Sequence, residues 1–324
     1  MRLSNIIKHE NNYVINTKLI TVHSTDRDIT KSKHSDEFDI ILPENIKNIE
    51  SLKLNSISIP MNTPVFSNLY QNTKFQFKIE DIVYPVEIAD GTYTIEQLSQ
   101  SIETLMNVAT APLMYRFKCK YNTVTNKLWF ACDGIVGGTP ASKEFTLLFD
   151  KAQEYDCDNR YNTKVHDKYF KWGLPAFIGY EKKEYTSIGA LSNLRFSHET
   201  VDWLAINSSY IDIANEHSVG MIDILPDNNL YMEVDKYNSL DEISEFSKHN
   251  SHHRDKDYDG RVNSAFAKLP LIKGFYTLLS KSNSGTTSRH NPPIENISRL
   301  TFKFRFHDGR PLNLNNIPFS FIIE

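Results

Sequence analysis

The chain has 324 residues, room for one large domain or two modest ones, and its 40% hydrophobic and 23% charged residues are the proportions of a folded protein. Lys and Arg number 36 against 40 Asp and Glu, a net charge of −4 with both signs interspersed, which disfavours general nucleic-acid binding because phosphate recognition needs a basic face. Nineteen Phe and 16 Tyr against only 12 Gly lean towards sheet and away from Gly-rich nucleotide loops and solenoids.

Residues 1–34 are polar and of mixed charge, and read as an N-terminal arm that orders only against something else, with one short strand at Leu19–His23. Asp36–Pro43 alternates, with Phe38, Ile40 and Leu42 on one face. Ser51–Pro60 alternates too, but Leu52 and Leu54 are even-numbered while Ile57 and Ile59 are odd. A one-residue slip reverses the faces of a strand, so the spacing predicts a bulge at Asn55–Ser56. Phe75–Ile79 is a further strand. After the Asp90–Gly91 turn, Thr94–Met106 predicts a helix whose Ile95, Leu98, Ile102 and Leu105 make one apolar face, to be buried on a sheet. Thr94 and Gln97 fit a capping box, each side chain satisfying a backbone N–H of the other.

Tyr115–Tyr121 and Lys127–Cys132 flank NTVTN as the arms of a hairpin, and Phe145–Phe149 is another short strand. Residues 151–190 read as irregular and aromatic. Strands are expected at Val201–Asn207, Leu230–Val234 and Ala265–Leu271, the last interrupted by Pro270. Ser247–Arg261 is a charged loop, and Ser280–Pro293, rich in Ser, Thr, Asn and Pro, is a long one. The end of the chain alternates most cleanly. Leu300, Phe302, Phe304 and Phe306 oppose Arg299, Thr301, Lys303 and Arg305, and Ile317, Phe319, Phe321 and Ile323 repeat the pattern ten residues on. That link is longer than a tight hairpin needs and suits strands in opposite sheets. The expectation is a mostly β protein: a jelly-roll β-sandwich from residues 35–66 plus 200–324, with an α+β insertion at 67–199 carrying one amphipathic helix.

Signals for chemistry are sparse. Asp255, Asp257 and Asp259 before Gly260 have the spacing of a calcium loop, but Phe266 stands where the closing Glu would be; the plainer reading is a solvated loop. His249, His252 and His253 read as loop histidines. His23, Ser24 and Asp26 are residue types of nucleophilic catalysis, yet adjacency in sequence does not make a triad. Gly134–Pro140 lacks the Lys of a phosphate loop and reads as a turn, and no GxGxxG, GxSxG or HExxH occurs. The aromatics of 155–180, among them Trp172, Phe177 and Tyr180, can stack bases or sugars, but fit core packing or a protein interface better. Cys119, Cys132 and Cys157 have no CxxC spacing and do not form a disulfide framework; Cys119 and Cys132, on the two hairpin arms, can approach each other. No apolar signal-peptide core opens the chain, and no run approaches the ~20 apolar residues of a membrane helix. No catalytic residue, cofactor or metal is assigned.

Five stretches carry a resemblance: FDIILPENIKNIESLKLNSISIP (38–60), GTYTIEQLSQSIETLMN (91–107), NLYMEVDKYNSLDEI (229–243), GRVNSAFAKLPL (260–271) and RLTFKFRFHDGRPLNLNNIPFSFIIE (299–324). In order and spacing they resemble a family of structural proteins of nucleocytoplasmic large DNA viruses, most specifically in RFHDG followed by PFSF. The resemblance implies a non-enzymatic minor capsid or penton-type protein with a jelly-roll core. It implies contacts with other capsid proteins, including the major capsid protein, with homo-oligomers possible in principle, and a place in the virion after assembly in host cytoplasm. The alternative from the residues alone is a carbohydrate- or receptor-binding sandwich with calcium at Asp255–Asp259.

If the two C-terminal strands close the sandwich, deleting residues 299–324 abolishes folding. Circular dichroism with a denaturant titration checks this, and soluble, cooperative unfolding of the shortened chain would count against it.

Overall fold

The computed structural model describes residues 16–60, 63–111, 115–136, 139–140, 144–152, 172–188, 209–211, 219–244, 261–271, 276–279, 287–307 and 309–324. The chain begins with strands β1 (Ile20–His23) and β2 (Glu37–Pro60). It continues through β3 (Lys74–Ile79), β4 (Ile82–Glu87), helix α1 (Ile95–Ala109), β5 (Tyr115–Asn122), β6 (Lys127–Val136), β7 (Thr139–Pro140), β8 (Phe145–Leu148), the single-turn helix α2 (Leu174–Phe177), β9 (Glu184–Thr186) and β10 (Ser209–Tyr210). It ends with β11 (Asn229–Val234), β12 (Leu240–Ser244), β13 (Arg261–Ala265), β14 (Ala267–Pro270), β15 (Tyr276–Leu279), β16 (Thr287–Arg305) and β17 (Ser320–Ile323). The protein is mostly β, as composition and alternation predict.

The buried side chains form two clusters. One is built from both ends of the chain, Val22–Ile59 and Leu230–Ile323. Its strands are hydrogen-bonded in the order β1-β17-β2-β16-β11-β14, with β15 also paired to β2. β2 belongs to two layers at once. Residues Glu37–Lys53 pair with β16, and Leu54–Ser58 pair with β17 on the opposite edge. Phe38 and Ile57 are 19 positions apart, and a straight strand would separate them by about 60 Å. Yet Phe302, opposite Phe38, and Phe321, opposite Ile57, have ring centroids 4.8 Å apart. β2 and β16 therefore arch over together, and the two ends of the arch face each other across a phenyl core. Phe304 meets Phe319 edge to face at 5.0 Å, and Phe38 contacts both Phe302 and Phe319. β16 and β17 thus sit in opposite layers of a sandwich, as the ten-residue link suggests.

The bulge falls where the phase slip predicts it. Ser56 faces Ile322 and Leu54 faces Ile323, which leaves Asn55 as the extra residue. The insertion keeps Leu52, Leu54, Ile57 and Ile59 all buried in one core. Several boundaries differ from expectation. Residues 43–51, too polar to alternate, are strand because β16 pairs with them. The loop expected at 280–293 already runs as β16 from Thr287, since ladder hydrogen bonds to β2 require no apolar alternation. Ala265–Leu271 is split at Phe266, which is buried and hands the chain from the β12–β13 ribbon to the edge beside β11. β17 begins only at Ser320, although Phe319 is already buried. Part of the expected arm is also seated: β1 pairs with β17, burying Val22, and Ser35 and Asp36 are buried behind it. The predicted strand at Val201–Asn207 and the charged loop at 247–261 lie outside the described residues, apart from Arg261.

The second cluster spans Phe66 to Val219 and so reaches beyond residue 199, where the sequence reading ends the insertion. Its sheets are β4-β3-β8-β9 and β10-β6-β5, the latter with the predicted hairpin, in which NTVTN turns between β5 and β6. β10 joins β6 through Ser209 and Tyr210, which draws the chain after residue 199 into this core. α1 starts with the predicted capping box: Thr94 Oγ1 accepts from Gln97 N–H, and Gln97 Oε1 accepts from Thr94 N–H. Its Leu98, Ile102 and Met106 are buried. The same helix guards the outer edge of β5, where unpaired backbone groups would invite another strand. Asn107 donates to Phe117 C=O and accepts from Phe117 N–H, and Glu103 accepts from Cys119 N–H. Gly179, at φ +88°, is pressed against Gly220, whose N–H donates to its carbonyl at 2.6 Å; a Cβ there would fall 2.5 Å from Gly220 O.

Phe321 touches Phe302, Phe304 and Phe319 and is fully buried, so Phe321→Ala removes packing from both layers at once. The expected loss is about 3–5 kcal/mol, read as a shift of the denaturant midpoint with the m-value unchanged.

Candidate interaction surface

The structure distributes the residues singled out in sequence and assembles no reaction centre from those it describes. Ser24 is wholly buried, and its role is structural: Ser24 Oγ accepts from Phe319 N–H, while Ser24 N–H donates to Phe319 C=O. This double bond fastens the segment after β1 onto the approach to β17. Its neighbours His23 and Asp26 flank that clasp. Trp172, Phe177 and Tyr180 are core residues of the second cluster, so these aromatics are used for packing; Phe177 lies 5.1 Å from Phe66 and Tyr180 5.0 Å from Phe149. Within Gly134–Pro140, Ile135 stands opposite Pro140 and Val136 opposite Thr139 in an antiparallel pairing. Cys119 and Cys132 are buried and not disulfide-bonded: the register sets Cys119 against Phe130 and Cys132 against Phe117. Cys157, His249, His252, His253 and Asp255–Asp259 lie outside the described residues. Among the described residues no group of three or more His, Cys, Asp and Glu is placed to hold a metal, and no helix is long and apolar enough to cross a membrane.

What the fold does present is sheet surface. The outer face of β2, β16 and β11 carries the polar half of the alternation. Lys303 pairs with Glu37 at 3.0 Å, Arg299 with Asp39, and Arg305 with Glu233, while Thr301 Oγ1 donates to Asp39 at 2.6 Å. The basic residues of RLTFKFRF are thus matched, strand by strand, by acids on the neighbouring strands. The hydrogen bond to Glu37 raises the Lys303 pKa above its ordinary value; burial opposes it, and the charges of Glu37, Glu233 and Asp235 add to the rise. Such a face is self-neutralised and suits a protein or solvent contact better than a polyanion. Ile41, 74% exposed, stands at its margin opposite Arg299. Between the two clusters, Arg310 ties the segments together: it pairs with Asp227 at 2.8 Å and stacks over Tyr70 and Phe306. Tyr70 belongs to the segment between β2 and β3, so one guanidinium touches chain from both clusters' surroundings. Sequence reading missed Arg310, because nothing in RFHDGRPL distinguishes a clamping Arg from a solvated one. The β4 edge, with Ile82 and Val83 exposed, and the β14 edge add to this surface.

No protein-family model matches the chain, and no curated protein matches it. Among solved structures it is similar to the mavirus penton protein, with 11% identity and a TM-score of 0.41 over 95% of this chain and 98% of that one. It is also similar to a chain in the structure of the Sputnik virophage, with 10% identity and a TM-score of 0.39 over 95% of this chain and 97% of that one. Both likenesses run nearly the length of the chain, at TM-scores too low to fix a shared fold.

Two buried acids in the second cluster give this protein an alkaline limit. Burial, and then the Glu103 carboxylate, pushes the Cys119 thiol well above its ordinary pKa despite Lys120 nearby. Burial does the same to Tyr180, whose hydroxyl donates to Leu128 C=O. The folded state keeps Cys119 protonated while the unfolded chain releases that proton above about pH 8.5. Stability is therefore intact below that pH and falls as pH rises past it, at no more than about 1.4 kcal/mol per pH unit from this one thiol. Cys119→Ala is expected to flatten the loss between pH 8.5 and 10, measured by urea unfolding at each pH against the parent chain.

Proposed function

We propose that the chain is a non-enzymatic virion structural protein, a minor capsid or penton-type component that contacts and stabilises neighbouring capsomers. One observation carries the reading. Of the five stretches that resemble the large-DNA-virus family, four contribute strands to or beside a single sandwich: β2, β11–β12, β13–β14 and β16–β17. The RFHDG and PFSF stretches, the most specific of them, lie where β16 leaves one layer and β17 enters the other. In this reading the sandwich is a jelly roll, and the second cluster is the α+β insertion that supplies extra surface.

The physical demands of a shell fit such a molecule. A shell component must hold its shape under lateral contact, which a strand shared between two layers provides. It must present broad surfaces with matched charges, which the β2–β16–β11 face does, and manage its sheet edges so that contacts form only where wanted. The partners in this reading are other capsid proteins, the major capsid protein among them, and further copies of the chain. The location is the virion, following assembly in host cytoplasm.

Cross-linking mass spectrometry on purified particles tests the proposal. The protein is expected in the particles, with cross-links from surface lysines such as Lys303 and Lys236 to another capsid protein. Absence from particles that retain their other capsid components would overturn it.

A further inference from the structure

The arch of β2 and β16 leaves a space beneath its crown. A trough of about 620 Å³ opens there, within the range of sites that take apolar groups. Leu42, Leu52, Leu300, Ile46, Ile49 and Ile297 are among its lining residues, with polar ones such as Lys47 and Glu50 beside them. Ile46 and Ile49 are only half-buried, although they lie on the strand that carries Leu42 and Leu52 into the core. The trough thus has apolar side chains set among polar ones, with room for further side chains.

The position of the N-terminal segment identifies what fills it. Asn16, Thr17 and Lys18 already line the trough on their way into β1. Lys18 is held to the rim by an ion pair with Glu44, on the crown of the arch. The three residues that immediately precede Asn16 are Tyr13, Val14 and Ile15, an apolar run that follows the polar Lys8–Asn12. Three extended residues reach at most about 10 Å, so side chains tethered at Asn16 cannot stray far from the lining. A tether this short gives an effective concentration that a free partner reaches only in the millimolar range.

We propose that Tyr13, Val14 and Ile15 of the same chain seat in the trough beneath the β2–β16 arch and complete the sandwich core at that end. The segment expected to order only against another molecule then has an internal docking site. The arch, wet on its outer side, is braced from within. The inference is independent of the function proposed above and holds for the isolated chain.

Hydrogen exchange read by mass spectrometry on the full-length protein tests it. In Val14→Asp/Ile15→Asp, amides of residues 45–50 and 294–297 are expected to exchange about tenfold faster or more, with the β5–β6 hairpin unchanged. Reciprocally, Ile46→Asp is expected to speed exchange in residues 13–18. Should the aspartates unfold the chain, the milder Val14→Ser/Ile15→Ser pair gives the same readout. Unchanged exchange at the arch in these variants overturns the proposal. So does arch protection in the parent chain that rises with protein concentration, because a second copy's segment would then be the occupant.

Discussion

The sandwich depends on one covalent fact: a single strand, Glu37–Pro60, is hydrogen-bonded into both of its layers. A strand cannot turn over without breaking its pleat, and here the breaks are placed. Register shifts interrupt the β2–β16 ladder between Arg289 and Ile294 and between Ile297 and Arg299, and the Asn55 bulge sits within the pairing with β17. Between these points the pair bends as a ribbon. What holds it bent is the phenyl cluster of Phe38, Phe302, Phe304, Phe319 and Phe321, which can form only when the two ends of the arch come face to face.

Much of the remaining architecture answers to that arch. β17 must reach the far end of β2, so the link from β16 has to cross the end of the sandwich, and it does so with Leu312 and Leu314 buried in the same core. β1 then caps the outer edge of β17, and the reciprocal bonds between Ser24 and Phe319 lock it there. The second cluster interrupts the chain between β2 and β11, two elements of the sandwich that both pair with β16. Arg310, bonded to Asp227 and stacked on Tyr70, joins a residue from each side of that cluster to the sandwich. A molecule built this way ties both layers to one strand and presents a face whose charges are already paired.

The legible parts of the fold were those with a local cause. Thr94 and Gln97 specify a helix start by satisfying each other's backbone groups, so the start is correct to the residue. The alternation in RLTFKFRF sorted Leu300, Phe302, Phe304 and Phe306 from Arg299, Lys303 and Arg305, and every one of the four is buried. The parts that were not legible have non-local causes. Ser280–Pro293 reads as a loop from composition, yet Thr287 onward is strand, because β2 supplies a partner and the Pro pair falls at a register shift where no ladder N–H is required. β4 and β9 went unnoticed for a similar reason: each is an edge strand whose pairing, not its pattern, makes it a strand. At the candidate surface, the basic residues of β16 were visible, but the acids that neutralise them lie 72 and about 260 positions away.

By itself, then, the sequence determined which side of each strand is apolar, where α1 begins, that an extra residue interrupts the strand at Asn55, and that the C-terminal pair is half-buried. Alternation is a property of neighbours along the chain, and it survives any choice of fold. The tertiary structure alone decided that both ends of β2 face each other, that β16 and β17 meet across the core through phenyl rings, and that an apolar trough remains under the crown. Those outcomes depend on which distant segment lies across from each apolar face. A period-two pattern states that a partner is needed and says nothing of which one it will be.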